Sequence, residues 1–147
     1  MKVLLTGGAG FIGSHTAVGL LEKGHEVVIA DNFVNSKPEA VNRIRKITGK
    51  DVKLYAIDVA DREKLETVFA ENSIDAVIHF AGLKAVGESV RLPLLYYRNN
   101  LDSTFTLLET MKKYGCNKII FSSSATVYGD PAFIPITEEC PKGKITN

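Results

Sequence analysis

Two features are nearly missing from this chain, cysteine and excess charge, and each absence removes a class of function. The 147 residues carry a formal net charge of +1. No basic cluster breaks that balance, so a nucleic-acid partner has no electrostatic footprint to bind. The two cysteines, Cys116 and Cys140, have neither metal-ligand spacing nor a disulfide framework, and read as free thiols of a cytosolic protein. Apolar runs are no longer than strands, which excludes a membrane-spanning segment. Thr6-Gly7-Gly8 interrupts the opening apolar run, so nothing resembles a secretion signal. The expected setting is the cytoplasm, with no membrane or nucleic acid as partner. Internal repeats and low-complexity tracts are absent too.

What remains is ordinary globular material, 45% hydrophobic and 24% charged, in a single domain's length of chain. Apolar strand runs alternate with helical patterns, the signature of a parallel sheet covered on both faces. Strands are expected near 2–6, 26–30, 52–57, 75–80 and 117–122. Helices are expected near 11–23, 39–47, 61–71 and 93–114. Asp61 is placed to cap the third helix, and Pro93 suits the first turn of the fourth. Gly24 and Gly115 read as helix stops. Right-handed crossovers then give the spatial order 3-2-1-4-5, a Rossmann-type doubly wound α/β sheet. A full fold of this type continues with at least a sixth strand. Strand 5, with Ile119, Ile120 and Phe121, is expected to be an unpaired apolar edge and an aggregation site. Residues 1–128 read as an incomplete dinucleotide-binding domain. The rest, 129–147, reads as a mobile loop leading toward an absent remainder, and the chain as the first part of a longer protein.

The most informative motif is the first. Strand residues 2–6 run into Gly7-Gly8-Ala9-Gly10-Phe11-Ile12-Gly13, with Gly7, Gly10 and Gly13 three apart. Gly7 can take the positive φ of a tight turn, and Gly10 offers no side chain to obstruct a phosphate. Gly13 lets the following helix press on the strand, with its free N–H groups aimed at the anion. Asp31 closes the second strand, where a carboxylate accepts from the adenosine ribose hydroxyls and repels a 2′-phosphate. The expected cofactor is therefore NAD rather than NADP.

Further candidates lie at the C-terminal ends of later strands. Asp58 can accept from the adenine amino group while Val59 packs on the ring; a capping carboxylate and a core valine explain the pair equally well. Small residues in Ile78-His79-Phe80-Ala81-Gly82 let the backbone run beside a cofactor. His79 is expected to be a partly buried, satisfied histidine rather than a catalyst. Ser122, Ser123 and Ser124 offer hydroxyls at the mouth of the crevice. Tyr114 and Lys118 have the spacing of a tyrosine–lysine base, but at the wrong end of strand 5. The apolar residues Leu94, Leu95, Leu101, Phe105 and Leu108, with Tyr97, are read mainly as core packing on the sheet and secondarily as a face for a partner helix.

Together the glycine loop, His79-Phe80-Ala81-Gly82-Leu83-Lys84-Ala85-Val86-Gly87-Glu88-Ser89 and the run from Ser122 to Gly129-Asp130 resemble the extended short-chain dehydrogenase/reductase superfamily. Within it they are most similar to the UDP-glucose 4-epimerases. The resemblance implies a tightly held NAD, and oxidation at sugar C4 followed by reduction on the other face, so that UDP-glucose and UDP-galactose interconvert. Carried over by motif, Gly7, Gly10, Phe11 and Ile12 hold the pyrophosphate, with Gly13 behind them. Asp31, Asn32, Asn35 and Ser36 bind the adenosine ribose, and Asp58 and Val59 the adenine. Phe80, Ala81, Gly82, Lys84, Asn99 and Ser122 serve the rest of the cofactor, while Ser124 hydrogen-bonds the reacting oxygen. The family's Tyr-x3-Lys base and UDP-clamping domain fall beyond Asn147, so the chain alone is expected to be inactive. The complete protein is expected to take a UDP-sugar and to form a homodimer. Ala125 and Thr126 disfavour a 4,6-dehydratase, which needs an acid/base pair there. A non-catalytic NAD-binding module and a 4-epimerase of another nucleotide sugar remain as alternatives.

Overall fold

A computed structural model describes residues 1–144. Five parallel strands form one sheet: β1 (Lys2–Thr6), β2 (Glu26–Asp31), β3 (Lys53–Ala56), β4 (Ala76–His79) and β5 (Ile119–Phe121). Their order across the sheet is β3-β2-β1-β4-β5, as expected from the sequence. β1 sits at the centre, with Thr6 in register with Ala30 of β2 and His79 of β4. The strand order reverses between β1 and β4, and a crevice at such a reversal, beyond the strands' C-terminal ends, is where folds of this kind bind ligands.

Alternation along the strands divides the core in two. Val3, Leu5, Val27 and Ile29 face α1 (Phe11–Glu22) and α2 (Glu39–Thr48), meeting Ala17, Leu21, Val41 and Ile44. Leu4, Val28 and Val77 face the opposite layer, α3 (Arg62–Glu71) and α5 (Pro93–Lys113), meeting Leu65, Val68, Leu107 and Met111. Most of these side chains are fully buried, each worth about 1.5–3 kcal/mol relative to exposure. The helix-end chemistry follows the sequence. Asp61 accepts from the Lys64 N–H at 3.2 Å, Pro93 opens α5, and Gly24 and Gly115 take φ of 82° and 70°.

Three features differ from expectation. Strands β3, β4 and β5 are each shorter at both ends. A short helix, α4 (Val86–Arg91), precedes α5; Leu92 separates them at φ −128° and ψ 55°, because the proline after it disfavours helical backbone. The third concerns α5. Leu94, Leu95, Tyr97, Leu101, Phe105 and Leu108 do not pack on the sheet but stand exposed. The inward face is Ser103, Thr106, Leu107, Thr110 and Met111. Thr110 can be buried because its hydroxyl donates to the carbonyl of Thr106, one turn back, at 2.8 Å. Polar residues at helical spacing thus took the place that apolar ones were expected to fill.

β5 is the edge of the described sheet, and Ile119, Ile120 and Phe121 are exposed as predicted. A 3-10 turn (Ala125–Tyr128) follows it, and residues 130–144 contain no helix or strand. Cys116 and Cys140 are both free and buried. Among the described residues, no helix is long and apolar enough to cross a membrane.

Candidate functional site

The glycine turn after β1 is built by close contacts that only glycine permits. Gly7 has φ +67°, and a Cβ there would sit 2.8 Å from the Ala81 nitrogen. A Cβ on Gly13 would meet the Gly7 carbonyl oxygen at 2.6 Å and Gly8 Cα at 2.8 Å. The start of α1 is therefore pressed onto the turn, and the loop after β4 lies directly beside it. Gly10 precedes α1 as its N-terminal cap and supplies no side-chain bond to it. The first-turn N–H groups of a helix have no intrahelical acceptor, so this end suits an anion.

Asp31 ends β2 facing that turn, almost fully buried. Its Oδ2 accepts from the Ala9 N–H at 2.9 Å. Its Oδ1 accepts from the Phe33 N–H at 2.9 Å and the Ser36 hydroxyl at 2.7 Å. These donors hold the carboxylate in one orientation and hold Phe33 in a left-handed conformation at φ 59°. Ionised, a carboxylate has about four lone-pair sites, so three protein donors leave capacity for a ligand hydroxyl. Asp58 lies opposite: its Oδ2 accepts from Asn32 Nδ2 at 3.1 Å and its Oδ1 from the Ala60 N–H at 2.9 Å. The cap of α3 is Asp61, so Asp58 is not needed there. Val59 is buried in the core beneath.

One cavity is lined by Gly7, Asp31, Asn32, Asn35, Ser36, Asp58, Val59, Phe80, Ala81, Gly82 and Asn99, eleven of the residues singled out from the sequence. Ala81, Gly82 and Leu83 also line a second cavity, which takes in Lys84, Ser122, Ser123, Ser124 and Thr126. Gly10, Phe11, Ile12 and Gly13 line neither; Gly13 is buried, while Phe11 and Ile12 lie exposed at the start of α1. The candidates thus divide into two adjoining compartments and one helix end.

Within the second cavity, Ser124 Oγ accepts from Thr126 at both its N–H (3.3 Å) and its hydroxyl (2.8 Å). The Ser124 proton is not used in those contacts and is available to an acceptor in the cavity. Tyr96 also lines this space, but its hydroxyl donates to Glu88 Oε2 at 2.6 Å. That hydrogen bond to the carboxylate holds Tyr96 above the ordinary phenol range, so it stays protonated and is unsuited as a base. Tyr114 is at the C-terminal end of α5, away from the serines, as expected.

His79 is more buried than expected, at 2% exposure. Its Nδ1 lies 2.6 Å from Thr6 Oγ1 and its Nε2 3.2 Å from Thr104 Oγ1. Burial, and then the charge of Lys84, lower its pKa to about 4, so the imidazole is neutral at physiological pH. The satisfied histidine is the correct reading. Sequence reasoning missed Asn100, whose carboxamide grips the main chain of Leu83. The available signal was two consecutive asparagines inside a helix, where asparagine is a poor helix former.

The profile of the family described as "NAD dependent epimerase/dehydratase family" matches residues 3–147. The chain belongs to that family. Among relatives of this epimerase/dehydratase chain, the UDP-glucose 4-epimerase of Bacillus subtilis (strain 168) is 63% identical over 143 residues. Those residues are 97% of this chain and 42% of the relative. UDP-glucose 4-epimerase uge1 of Schizosaccharomyces pombe is 60% identical, covering 95% of this chain and 41% of its own length. The crystal structure of UDP-glucose 4-epimerase from Bifidobacterium longum in complex with NAD+ and UDP superposes with a TM-score of 0.96 at 61% identity. The match covers all of this chain and 44% of that one. The epimerase/dehydratase chain thus spans less than half the length of the relatives it matches.

Proposed function

We propose that this chain is the NAD-binding portion of a UDP-glucose 4-epimerase. The observation that carries this reading is the pair of adjacent cavities, one around the oriented Asp31 carboxylate and one around the serines, with Ala81, Gly82 and Leu83 lining both. The residues fit a dinucleotide. A Cβ at Gly7 or Gly13 would collide with main chain in the cradle. The buried Asp31 carboxylate suits ribose hydroxyls and repels a 2′-phosphate.

In this reading Asp31, Asn32, Asn35 and Ser36 hold the adenosine ribose, and Asp58 and Val59 the adenine. The start of α1, with Gly7, Gly10, Phe11, Ile12 and Gly13, receives the pyrophosphate. Phe80, Ala81, Gly82, Lys84, Asn99 and Ser122 flank the remainder. NAD, when bound, supplies a reversible acceptor for hydride from sugar C4. Ser124 donates its proton as a hydrogen bond to the sugar 4-oxygen, and Lys84 adds positive charge to the same, second cavity. The neutral, buried His79 takes no part in proton transfer. Proton removal belongs to a base outside the described residues.

Residues 1–128 form the dinucleotide-binding domain in this reading, and 129–147 connect it onward. The exposed stripe Leu94, Leu101, Phe105 and Leu108 on α5 is the face for a homodimer of the complete protein. The two free thiols fit a reducing, cytoplasmic setting. The test is conversion of UDP-galactose to UDP-glucose by the protein extended to the length of its relatives. Activity is expected there and not in the 147-residue chain. Ser124→Ala in the long form should lower kcat roughly 10²-fold. Turnover unaffected by that change would remove Ser124 from the site, and an inactive long form would remove the epimerase reading.

A further inference from the structure

A directed chain of hydrogen bonds runs beneath the point where the two cavities meet. Thr104 Oγ1 donates to the carbonyl of Asn100 at 2.7 Å. That hydroxyl has one proton, so its contact with His79 Nε2 assigns the proton there to the imidazole. His79 Nδ1 is then the acceptor for the Thr6 hydroxyl at 2.6 Å. The Ala81 N–H points back to Thr6 Oγ1 at 3.5 Å, the long link of the series. Each donor has one acceptor, and the series ties the end of β1 and the end of β4 to α5.

Asn100 stands at the α5 end of this series and lines the second cavity. Oδ1 accepts from the Leu83 N–H at 2.8 Å, and Nδ2 donates to the Leu83 carbonyl at 3.0 Å. The same Oδ1 accepts from Asn99 Nδ2 at 3.0 Å. Gly82 lies so close that a Cβ on it would be 3.3 Å from Asn100 Oδ1. A carboxamide that engages both main-chain groups of one residue fixes that residue's position and rotation together. Gly82 and Leu83 line both cavities, so what Asn100 fixes is the wall they share.

We propose that Asn100 is a positioning residue: by clasping Leu83 and orienting Asn99, it holds the Gly82-Leu83-Lys84 turn in the shape that accepts the nicotinamide half of a dinucleotide. The proposal rests on the NAD-binding reading above. It separates the two halves of the ligand, because Asp31, Asp58 and Val59 line only the first cavity and Asn100 only the second. Loss of the clasp should loosen the second half and spare the first.

Calorimetric titration of the 147-residue chain with NAD and, separately, AMP tests it. Wild type should bind both. Asn100→Ala should bind NAD about tenfold more weakly while AMP affinity stays within twofold, and the Leu83 amide should lose its protection from hydrogen exchange. Asn100→Asp keeps the acceptor for Leu83 and Asn99 but loses the donor to the Leu83 carbonyl, and should fall between. Should Asn100→Ala fail to fold, Asn100→Asp carries the comparison alone, with NAD weakened severalfold and AMP unchanged. Unchanged NAD affinity in the folded variants would overturn the proposal, as would a parallel loss of NAD and AMP. AMP binding without NAD binding in the wild type would overturn it and spare the adenosine site. Binding of neither would overturn the NAD reading itself.

Discussion

Gly13 and Gly19 lie in the same helix, α1, and the same substitution should have opposite effects at the two positions. Alanine at Gly13 would place a Cβ 2.6 Å from the Gly7 carbonyl oxygen and 2.8 Å from Gly8 Cα. Both are main-chain atoms of the turn, which cannot swing aside as a flexible side chain does, so the helix must back away. Overpacking of this kind costs about 1–3 kcal/mol. At Gly19 a Cβ would meet nothing within 4 Å, and the change brings only the helix-propensity gain of about 1 kcal/mol. That gain is common to both variants, so the difference between them isolates the clash. Urea unfolding should show Gly19→Ala more stable than wild type by about 0.5–1 kcal/mol and Gly13→Ala less stable than wild type by up to about 2.5 kcal/mol. Gly13→Ala should also weaken NAD binding, because the helix end proposed to receive the pyrophosphate moves with it. A Gly13→Ala protein as stable as Gly19→Ala would refute the close packing of helix on turn.

Asp31→Asn should lower stability by about 1–3 kcal/mol, since an amide N–H₂ would face one of the donors Ala9, Phe33 or Ser36. It should also narrow the preference for NAD over NADP, read as the ratio of their dissociation constants; an unchanged ratio would remove Asp31 from the ribose site. His79 gives stability a pH dependence. Its folded-state pKa of about 4 lies below the ordinary 6.5, so only the unfolded chain takes up the proton between those values. Its contribution is complete above pH 6.5 and falls by about 3 kcal/mol as pH drops to 4; His79→Gln should flatten that part of the denaturation profile. Ile120→Lys, on the exposed β5 edge, should reduce light scattering by concentrated samples, and unchanged scattering would place self-association on another surface.

The strand order and two-layer core were legible in the sequence because parallel strands buried on both faces read as continuous apolar runs, and Val3, Leu4 and Leu5 are such a run. The glycine turn was legible for a different reason: backbone proximity at Gly7 and Gly13 excludes every larger residue. The face of α5 was misread because its inward residues Thr106 and Thr110 look polar. The Thr110 hydroxyl, satisfied by its own helix, costs little to bury, and the period of apolar residues then points away from the core. α4 was missed because six residues before a proline give no periodicity to read. Asn100 escaped notice because its partner, Leu83, is a main-chain contact seventeen positions away, and side-chain pattern does not record it.

The most direct test of the account is calorimetric titration of NAD and NADP into the 147-residue chain at physiological pH. Saturable one-to-one binding of NAD is expected, with NADP at least tenfold weaker because its 2′-phosphate would meet the Asp31 carboxylate. No binding of either nucleotide, or equal binding of both, would contradict it.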